Sequence, residues 1–411
     1  MLRRNFLATA TAGAVTATAT AITLGGHSLF AQDAAVPQPA GGRKIKLALL
    51  GCGGRGAWIG RLFQGHGGYE IHAVGDYFPG RATRTGGQLK VPASRCFSGL
   101  NAYKRLLETK PDAIAIIVAP WFHPKIVETA LDAGVHVYLA KPVAVDVPGC
   151  YSIEASGKRA TEKKLCFLVD FQTRTNKFYI EAMRRVNSGT IGERIFGEAF
   201  YHADSPGSRA KPGSHGERIA NWRFYRDLGG DIIVERDIHV LDVVNWAMDN
   251  VPPLHAFGVG GRKMPNRPGD ANDYATLHIQ YPNNFGITFS SRETKGFGTV
   301  PEGIVYRMFC AKGVLETSYG GRVMVRGDLK TAYSGGKTGN IYEEGAVANI
   351  AEFHRVFFAK DYSNPTVAPS VRANLLTLLA RQTAYTNKLV TWDELLKDTN
   401  RLDADLRGLK D

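Results

Sequence analysis

The junction Ile45-Lys46-Leu47-Ala48-Leu49-Leu50-Gly51-Cys52-Gly53-Gly54-Arg55-Gly56 leaves this chain few folds to choose from. An apolar strand runs straight into glycines at positions 51, 53 and 56, the Gly-x-Gly-x-x-Gly spacing. The first glycine permits a tight turn, the second lets the backbone approach a pyrophosphate, and the third lets the next helix pack on the strand. The pyrophosphate would meet the positive end of that helix. A second strand, Tyr69 to Gly75, ends in Asp76, about 20 residues past the third glycine, where a carboxylate can accept hydrogen bonds from adenosine ribose hydroxyls. Glycines alone would describe an ordinary turn. With a strand before, a helix after and an acid at this distance, they imply a dinucleotide site. Asp76 favours NAD, because its charge repels a 2′-phosphate, while Arg81 and Arg84 close behind it leave NADP open.

The pattern then alternates strands and helices. A strand near Ile114 to Val118 ends at Ala119-Pro120-Trp121-Phe122-His123, a helix follows over Lys125 to Ala133, and Val135 to Leu139 forms a strand ending at Ala140-Lys141-Pro142. A helix from Pro148 to Lys163 and a strand from Leu165 to Asp170 complete a Rossmann domain over residues 44–170. Such alternation implies a parallel sheet with right-handed crossovers. Ligands bind at the carboxyl ends of its strands, which puts Ala119, Pro120, His123 and Lys141 on the rim of the cofactor crevice. After Phe171 the texture changes to β-like runs separated by turns such as Pro282-Asn283-Asn284. This predicts an α+β domain over residues 171–411 with a large, mostly antiparallel sheet. One helix, Asp237 to Met248, interrupts it, and helices Ala346 to Ala359 and Pro369 to Asn387 follow.

Composition narrows the partners. The formal charge of +13 comes from 51 basic and 38 acidic residues with no long Lys/Arg run, the mark of a solvated surface and not of a nucleic-acid-binding face. The five cysteines, Cys52, Cys96, Cys150, Cys166 and Cys310, form no Cys-x-x-Cys pair or zinc spacing and read as mostly buried thiols. At the start of the chain, Arg3-Arg4 precedes Phe6-Leu7 and an Ala/Thr-rich segment, the pattern of a twin-arginine export signal over residues 1–31. The expected location is therefore periplasmic, with the Tat export machinery as a partner. The segment is too short and threonine-rich for a membrane span. Residues 32–43, with Pro37, Pro39, Gly41 and Gly42, read as a flexible linker.

Two places could carry chemistry. Beside a nicotinamide, the ammonium of Lys141 would lower a substrate hydroxyl's pKa and stabilise the alkoxide that donates hydride. The second is the run Gly229-Gly230-Asp231-Ile232-Ile233-Val234-Glu235-Arg236-Asp237-Ile238-His239-Val240-Leu241-Asp242. At helical spacing Glu235 and His239 share a face, and Asp242 follows three residues later. An imidazole can exchange a hydroxyl proton at neutral pH, and a neighbouring carboxylate can set its tautomer. The cluster has one histidine and no second at ligand spacing, which argues against a metal.

These residues together resemble the Gfo/Idh/MocA family of oxidoreductases over nearly all of the mature chain. Gly51 to Gly56 and Asp76 match its nucleotide fingerprint, and Pro120 to His123 resembles its Thr-Pro-Asn-x-x-His loop. Ala140-Lys141-Pro142 matches its Glu-Lys-Pro, with Lys141 on the catalytic lysine. Gly229 to Asp242 resembles its Gly-Gly-Gly/Asp-x-Gly-x-His-x-x-Asp signature, with His239 on the catalytic histidine and Glu235 on the acidic position before it. Asn387 to Trp392 resembles the family's closing pattern. Two departures stand out: Ala140 replaces the glutamate before the lysine, and Glu235 replaces an aspartate while Asp237 stands where glycine is common. Either acid could then contact His239 or substrate.

The resemblance implies a sugar, polyol or glycoside as substrate, NAD or NADP as cofactor, and a homo-oligomer, dimer or tetramer, formed through the open face of the second sheet. Arg174, Trp222, Arg223, Tyr225 and Asp242 are candidate substrate contacts, since aromatic faces stack on sugar rings and guanidinium groups bind hydroxyls or carboxylates. Free NAD is scarce outside the cytoplasm, so an exported enzyme must carry its nucleotide with it and return it to its starting redox state in each cycle. The family includes both exported oxidoreductases and NAD-dependent glycoside hydrolases that work through a transient keto sugar. Hydrolysis, elimination or epimerisation therefore stands beside net oxidation, and a cofactor-stabilised binding protein without catalysis is a third reading.

Overall fold

The computed structural model describes residues 42–411; the expected export signal and nearly all of the expected linker lie outside them. Strands β1 (Ile45–Leu50), β2 (Tyr69–Asp76), β3 (Cys96–Ser98), β4 (Ala113–Ile116), β5 (His136–Ala140) and β6 (Phe167–Asp170) form a parallel sheet in the order β3-β2-β1-β4-β5-β6. The chain starts at the centre, winds outward to β3, then returns to β4, so the order reverses between β1 and β4 and opens a crevice at their carboxyl ends. Alternation splits the side chains of β1 between two apolar clusters. Ile45, Leu47 and Leu49 pack with Phe63, Tyr138 and Phe353, whereas Ala48 and Leu50 join Ile114 and Ile116 on the other side. Both faces are thus covered, as a parallel sheet requires.

The second sheet has nine strands. These are β7 (Arg194–His202), β8 (His255–Gly261), β9 (Tyr274–Gln280), β10 (Gly286–Arg292), β11 (Gly303–Cys310), β12 (Gly313–Ser318), β13 (Arg322–Gly327), β14 (Tyr333–Lys337) and β15 (Val390–Thr391), in the order β14-β13-β12-β11-β7-β10-β9-β8-β15. All neighbours are antiparallel except β7 and β10, so the mostly antiparallel sheet expected from consecutive strands is found. In β11, Ile304, Tyr306, Met308 and Cys310 are buried while the residues between them are half-exposed. The buried set shares one cluster with Val240, Leu241 and Val244 of the helix Ile238–Ala247, and the opposite face leaves Ile195, Phe196, Phe257 and Val259 exposed.

The long helices near the end of the chain return to the first sheet. Ala346, Ile350 and Phe353 of the helix Ile341–Ala359 sit in the same apolar cluster as β1. Asn374, on the helix Val367–Thr386, accepts hydrogen bonds from the backbone N–H of Val143 (2.9 Å) and of Ala144 (3.3 Å), pinning the segment just after Lys141. Among the described residues no helix is long and apolar enough to cross a membrane.

Candidate active site

The glycine turn forms the floor of the site. Gly51 has φ +97°, and a Cβ there would lie 2.2 Å from the carbonyl oxygen of Ile117; at Gly56 a Cβ would come within 1.7 Å of the Gly51 carbonyl oxygen. Neither position can carry a side chain. A Cβ at Gly53 or Gly54 would meet no protein atom within 4 Å. Both line a cleft, with Gly51, Arg55, Gly56, Asp76, Ala119, Lys141, Trp222 and Glu235 among its other walls. The helix Gly54–His66 begins here with no side-chain cap and no acidic residue in its first turn, which leaves its first N–H groups for an anion. Bare glycines and an uncapped helix end fit a dinucleotide diphosphate. Asp76 is nearly buried and accepts from the Cys52 N–H at Oδ2 (2.7 Å) and the Phe78 N–H at Oδ1 (2.9 Å). Each oxygen keeps a lone pair for a ribose hydroxyl. Burial pushes this carboxyl up, against the pull of the two backbone bonds and of Arg81.

Lys141 closes β5 at the carboxyl edge of the sheet, its bond to Pro142 cis. Its Nζ donates to the Glu235 carbonyl and lies 3.7 Å from Glu235 Oε1. One of its three donors is spent on that carbonyl, and another can reach the carboxylate, leaving a third for substrate. Burial lowers Lys141 to about 8; Glu235 opposes the fall, while Arg55 and Arg223 deepen it. For Glu235, burial pushes up, but Arg223, Lys141 and Arg236 outweigh it and bring the carboxyl down to about 2. Arg223 Nη2 reaches Glu235 Oε2 at 3.0 Å and the buried Glu293 at 3.3 Å, and Glu293 also takes Arg236 (2.8 Å) and Arg267. Glu235 is therefore a charged bridge between the lysine and the second domain's arginines.

His239 is held otherwise than the sequence suggests. No hydrogen bond joins Glu235 to His239 among the described residues: the chain makes one short helical turn over Ile232–Glu235, passes through a turn at Arg236-Asp237 that keeps right-handed helical angles, and starts a new helix at Ile238. The carboxylate of Glu235 is taken up by Arg223 and Lys141. Asp237 is fully buried, with the Ser291 hydroxyl and Arg236 as its polar neighbours and no hydrogen bond to His239 among the described residues. Burial pushes its carboxyl well above the usual range, with Arg236 opposing. The group that orients the imidazole is Tyr319, whose hydroxyl lies 3.1 Å from His239 Nδ1 and donates to Gln172 Oε1 at 3.4 Å. With that single proton on Gln172, His239 donates from Nδ1 and keeps the lone pair on Nε2, which has no hydrogen-bond partner among the described residues. Burial, then Lys141, Arg55 and Arg236, holds the imidazole well below its ordinary pKa, so it is neutral at pH 7.

The remaining candidates divide between the cleft and its supports. Arg174 makes a two-pronged ion pair with the buried Asp242, Nη2 to Oδ1 at 2.8 Å and Nε to Oδ2 at 3.0 Å, so these two expected substrate contacts are joined to each other. Tyr225 donates to Glu217 at 2.7 Å and lies under Arg218. Of the expected cofactor contacts, Cys52, Pro120 and His123 stand behind the cleft wall. Both ring nitrogens of buried His123 face carbonyls, of Pro142 at 2.9 Å and Val118 at 3.1 Å, and burial lowers it to about 4. It ties the two strand-end loops together. Tyr319, Gln172 and Arg209, which lines the cleft, were not expected from the sequence. Tyr319 lies 80 residues from His239, on a turn with no motif of its own. All five cysteines are free, and among the described residues no group of three or more His, Cys, Asp or Glu could hold a metal ion.

Comparison with known proteins agrees with this geometry. Residues 45–171 match the model of an oxidoreductase family with an NAD-binding Rossmann fold, and residues 179–316 match the GFO/IDH/MocA C-terminal domain. An alpha-N-acetylgalactosaminidase from Shewanella oneidensis is 25% identical over 293 residues, 67% of this chain; the chain spans 57% of that protein's length. Among solved structures, a levoglucosan dehydrogenase in complex with NADH and levoglucosan superposes with a TM-score of 0.68 at 16% identity, covering 85% of this chain and 99% of that one. An inositol dehydrogenase homolog from Azotobacter vinelandii, complexed with NAD+, has a TM-score of 0.68 at 18% identity, covering 85% of this chain and 97% of its own. At these identities the structures share the fold.

Proposed function

The chain belongs to the Gfo/Idh/MocA family of NAD-binding oxidoreductases, and on that premise we propose that it oxidises a hydroxyl of a sugar, polyol or glycoside in the periplasm, with a nucleotide that stays bound. The observation that carries this reading is Lys141 at the end of β5, inside the glycine-floored cleft and charge-coupled to Glu235. When bound, the dinucleotide supplies the hydride acceptor, held by Gly53, Gly54, the first turn of the helix Gly54–His66 and Asp76. The chain's own residues do the rest. Lys141 donates a hydrogen bond to the reacting oxygen and stabilises negative charge on it. Neutral His239 accepts the hydroxyl proton at Nε2, and Tyr319 holds its Nδ1–H. Trp222, on the cleft wall, offers a face for the sugar ring. NADP stays open through Arg81, which also lines the cleft.

Sugar oxidation is supported by the levoglucosan and inositol dehydrogenases of the same fold. The test is turnover of a sugar panel by Lys141→Ala and His239→Ala: each should lose activity while retaining nucleotide, and wild-type rates in both would sink the assignment. The likeness to an alpha-N-acetylgalactosaminidase favours a second reading, cleavage of a glycoside through a transient ketone without net oxidation. Product formed with no net NADH, together with exchange of a sugar C–H for solvent deuterium, would select it.

A further inference from the structure

Residues 397–411 follow the last helix, Trp392–Leu396, as an extended, largely exposed segment. It crosses the carboxyl edge of the first sheet and meets the loops that follow β2, β3, β4 and β5. After β5, Asp146 Oδ2 accepts the Leu402 N–H at 2.9 Å; after β4, Trp121 Nε1 donates to the Leu402 carbonyl at 2.5 Å. After β3, the Leu100 N–H donates to the Lys410 carbonyl at 3.0 Å; after β2, the Tyr77 hydroxyl accepts the Lys410 N–H at 3.3 Å. Between these points the Asp405 N–H reaches Asp227 of the second domain at 3.3 Å. The Tyr77 hydroxyl also lies 2.8 Å from His215 Nε2, so the loop before the helix Glu217–Ala220 meets the same corner.

The loops it ties down are cleft walls. Tyr77, Gly99, Leu100, Tyr103, Phe122 and Ile126 line the nucleotide cleft, and the last four also face Leu402 and Leu406 of the crossing segment from behind. Asp76, the expected ribose contact, lines the same cleft as these loops. The segment bridges them from β2 to β5 and on to the second domain.

We propose that residues 399–411 form a retaining strap for the nucleotide, setting the rate at which NAD(H) leaves the cleft. This rests on the reading of a captive cofactor and names the element that makes it captive. Hydrogen bonds to backbone atoms of one exposed segment are made and broken together, so the strap acts as a unit whose detachment precedes release.

The experiment compares full-length protein with a deletion of residues 399–411 and with full-length Trp121→Phe, which removes the indole donor to Leu402 and keeps an aromatic ring at that position. Each is loaded with NADH and mixed with excess NAD+, and the loss of bound-NADH fluorescence gives the release rate, with thermal melting recorded alongside. The deletion should release NADH at least tenfold faster, and Trp121→Phe measurably faster with an unchanged melting temperature. Equal rates in full-length protein and both variants would overturn the strap, as would a lowered melting temperature with no change in rate. If the deletion does not fold, Trp121→Phe decides the question alone. Full-length protein that releases NADH within seconds would instead overturn the captive reading, and the ratio between chains would still decide the strap.

Discussion

Replacing Glu235 by glutamine tests the electrostatic logic of the site most directly. The exchange keeps the side chain's shape and its backbone carbonyl, to which Lys141 donates, but removes the negative charge 3.7 Å from Nζ. At an effective dielectric of about 20 that attraction amounts to about 4.5 kcal/mol before relaxation. Because one pKa unit corresponds to about 1.4 kcal/mol, the lysine should fall by at least one unit even if water and Arg223 rearrange to recover two thirds of the loss. Lys141 stands at about 8 in the native site and should move to pH 7 or lower. The sign follows from its role. A lysine that must be charged to polarise the reacting oxygen loses activity as pH rises through its pKa, while His239, neutral well below pH 6.5, places the acid limb lower still. The profile of kcat/KM against pH should therefore show a plateau in native enzyme ending near pH 8, and in Glu235→Gln an alkaline limb displaced to pH 7 or below. An alkaline limb that stays in place would refute the coupling. A rate that rises through pH 8 would show that Lys141 acts as the base.

Other consequences separate binding, orientation and stability. Tyr319→Phe removes the acceptor of the His239 Nδ1–H; a hydrogen bond to the imidazolium formed on proton uptake contributes about 1.5–3 kcal/mol, so kcat should drop ten- to a hundredfold with KM nearly unchanged in steady-state assays. Gly53→Ala meets no protein atom and should melt like native protein in the absence of added nucleotide, yet bind NADH far more weakly by fluorescence titration. Gly56→Ala, whose Cβ would collide with the Gly51 carbonyl, should lose both stability and binding, and equal behaviour of the two variants would contradict the assigned roles. Arg174→Ala strands the fully buried Asp242 carboxylate, which should cost about 3–5 kcal/mol in denaturant unfolding. If Arg174 instead contacted substrate, KM would rise while stability held.

What the sequence made legible was whatever depends on neighbours along the chain. The glycine turn, Asp76 and Lys141 are local to a strand end, so their spacing alone places them, and the antiparallel runs of the second domain show as alternation between turns. Strand β14, Tyr333-Ser334-Gly335-Gly336-Lys337, has neither apolar alternation nor β-branched residues; it forms because β13 offers an edge to pair with, a tertiary cause that no local pattern records. The Tyr319 contact of His239 escapes the local pattern for a related reason. Helical periodicity places Glu235 and His239 on one face, but the Glu235 carboxylate pairs with cations that are distant in sequence: Lys141 is 94 residues away. The strap is invisible for the same reason, since Leu402, Leu406 and Leu409 stand at helical spacing in a segment that forms no helix and gains its place only from the loops it crosses.

The substitution of Ala140 for the glutamate that the family resemblance leads one to expect now has a physical counterpart. A lysine buried beside Arg55 and Arg223 needs a negative neighbour to stay charged, and here Glu235 provides it from the second domain instead of the residue before it on β5. The charge of the buried Lys141 is therefore set by groups of the second domain, Glu235 holding its pKa up and Arg223 lowering it, in place of a neighbour on its own strand. Restoring a carboxylate on the strand should bypass this dependence. In the double variant Ala140→Glu with Glu235→Gln, the alkaline limb should return toward pH 8, because a charge of the same sign again faces Nζ from the adjoining position. A carboxylate at 140 has little room, since Ala140 is only 5% exposed, so the melting temperature must be followed in parallel. A double variant that stays folded yet keeps the displaced limb of Glu235→Gln would mean that the position of the charge matters as well as its sign, and the compensation argument would fall.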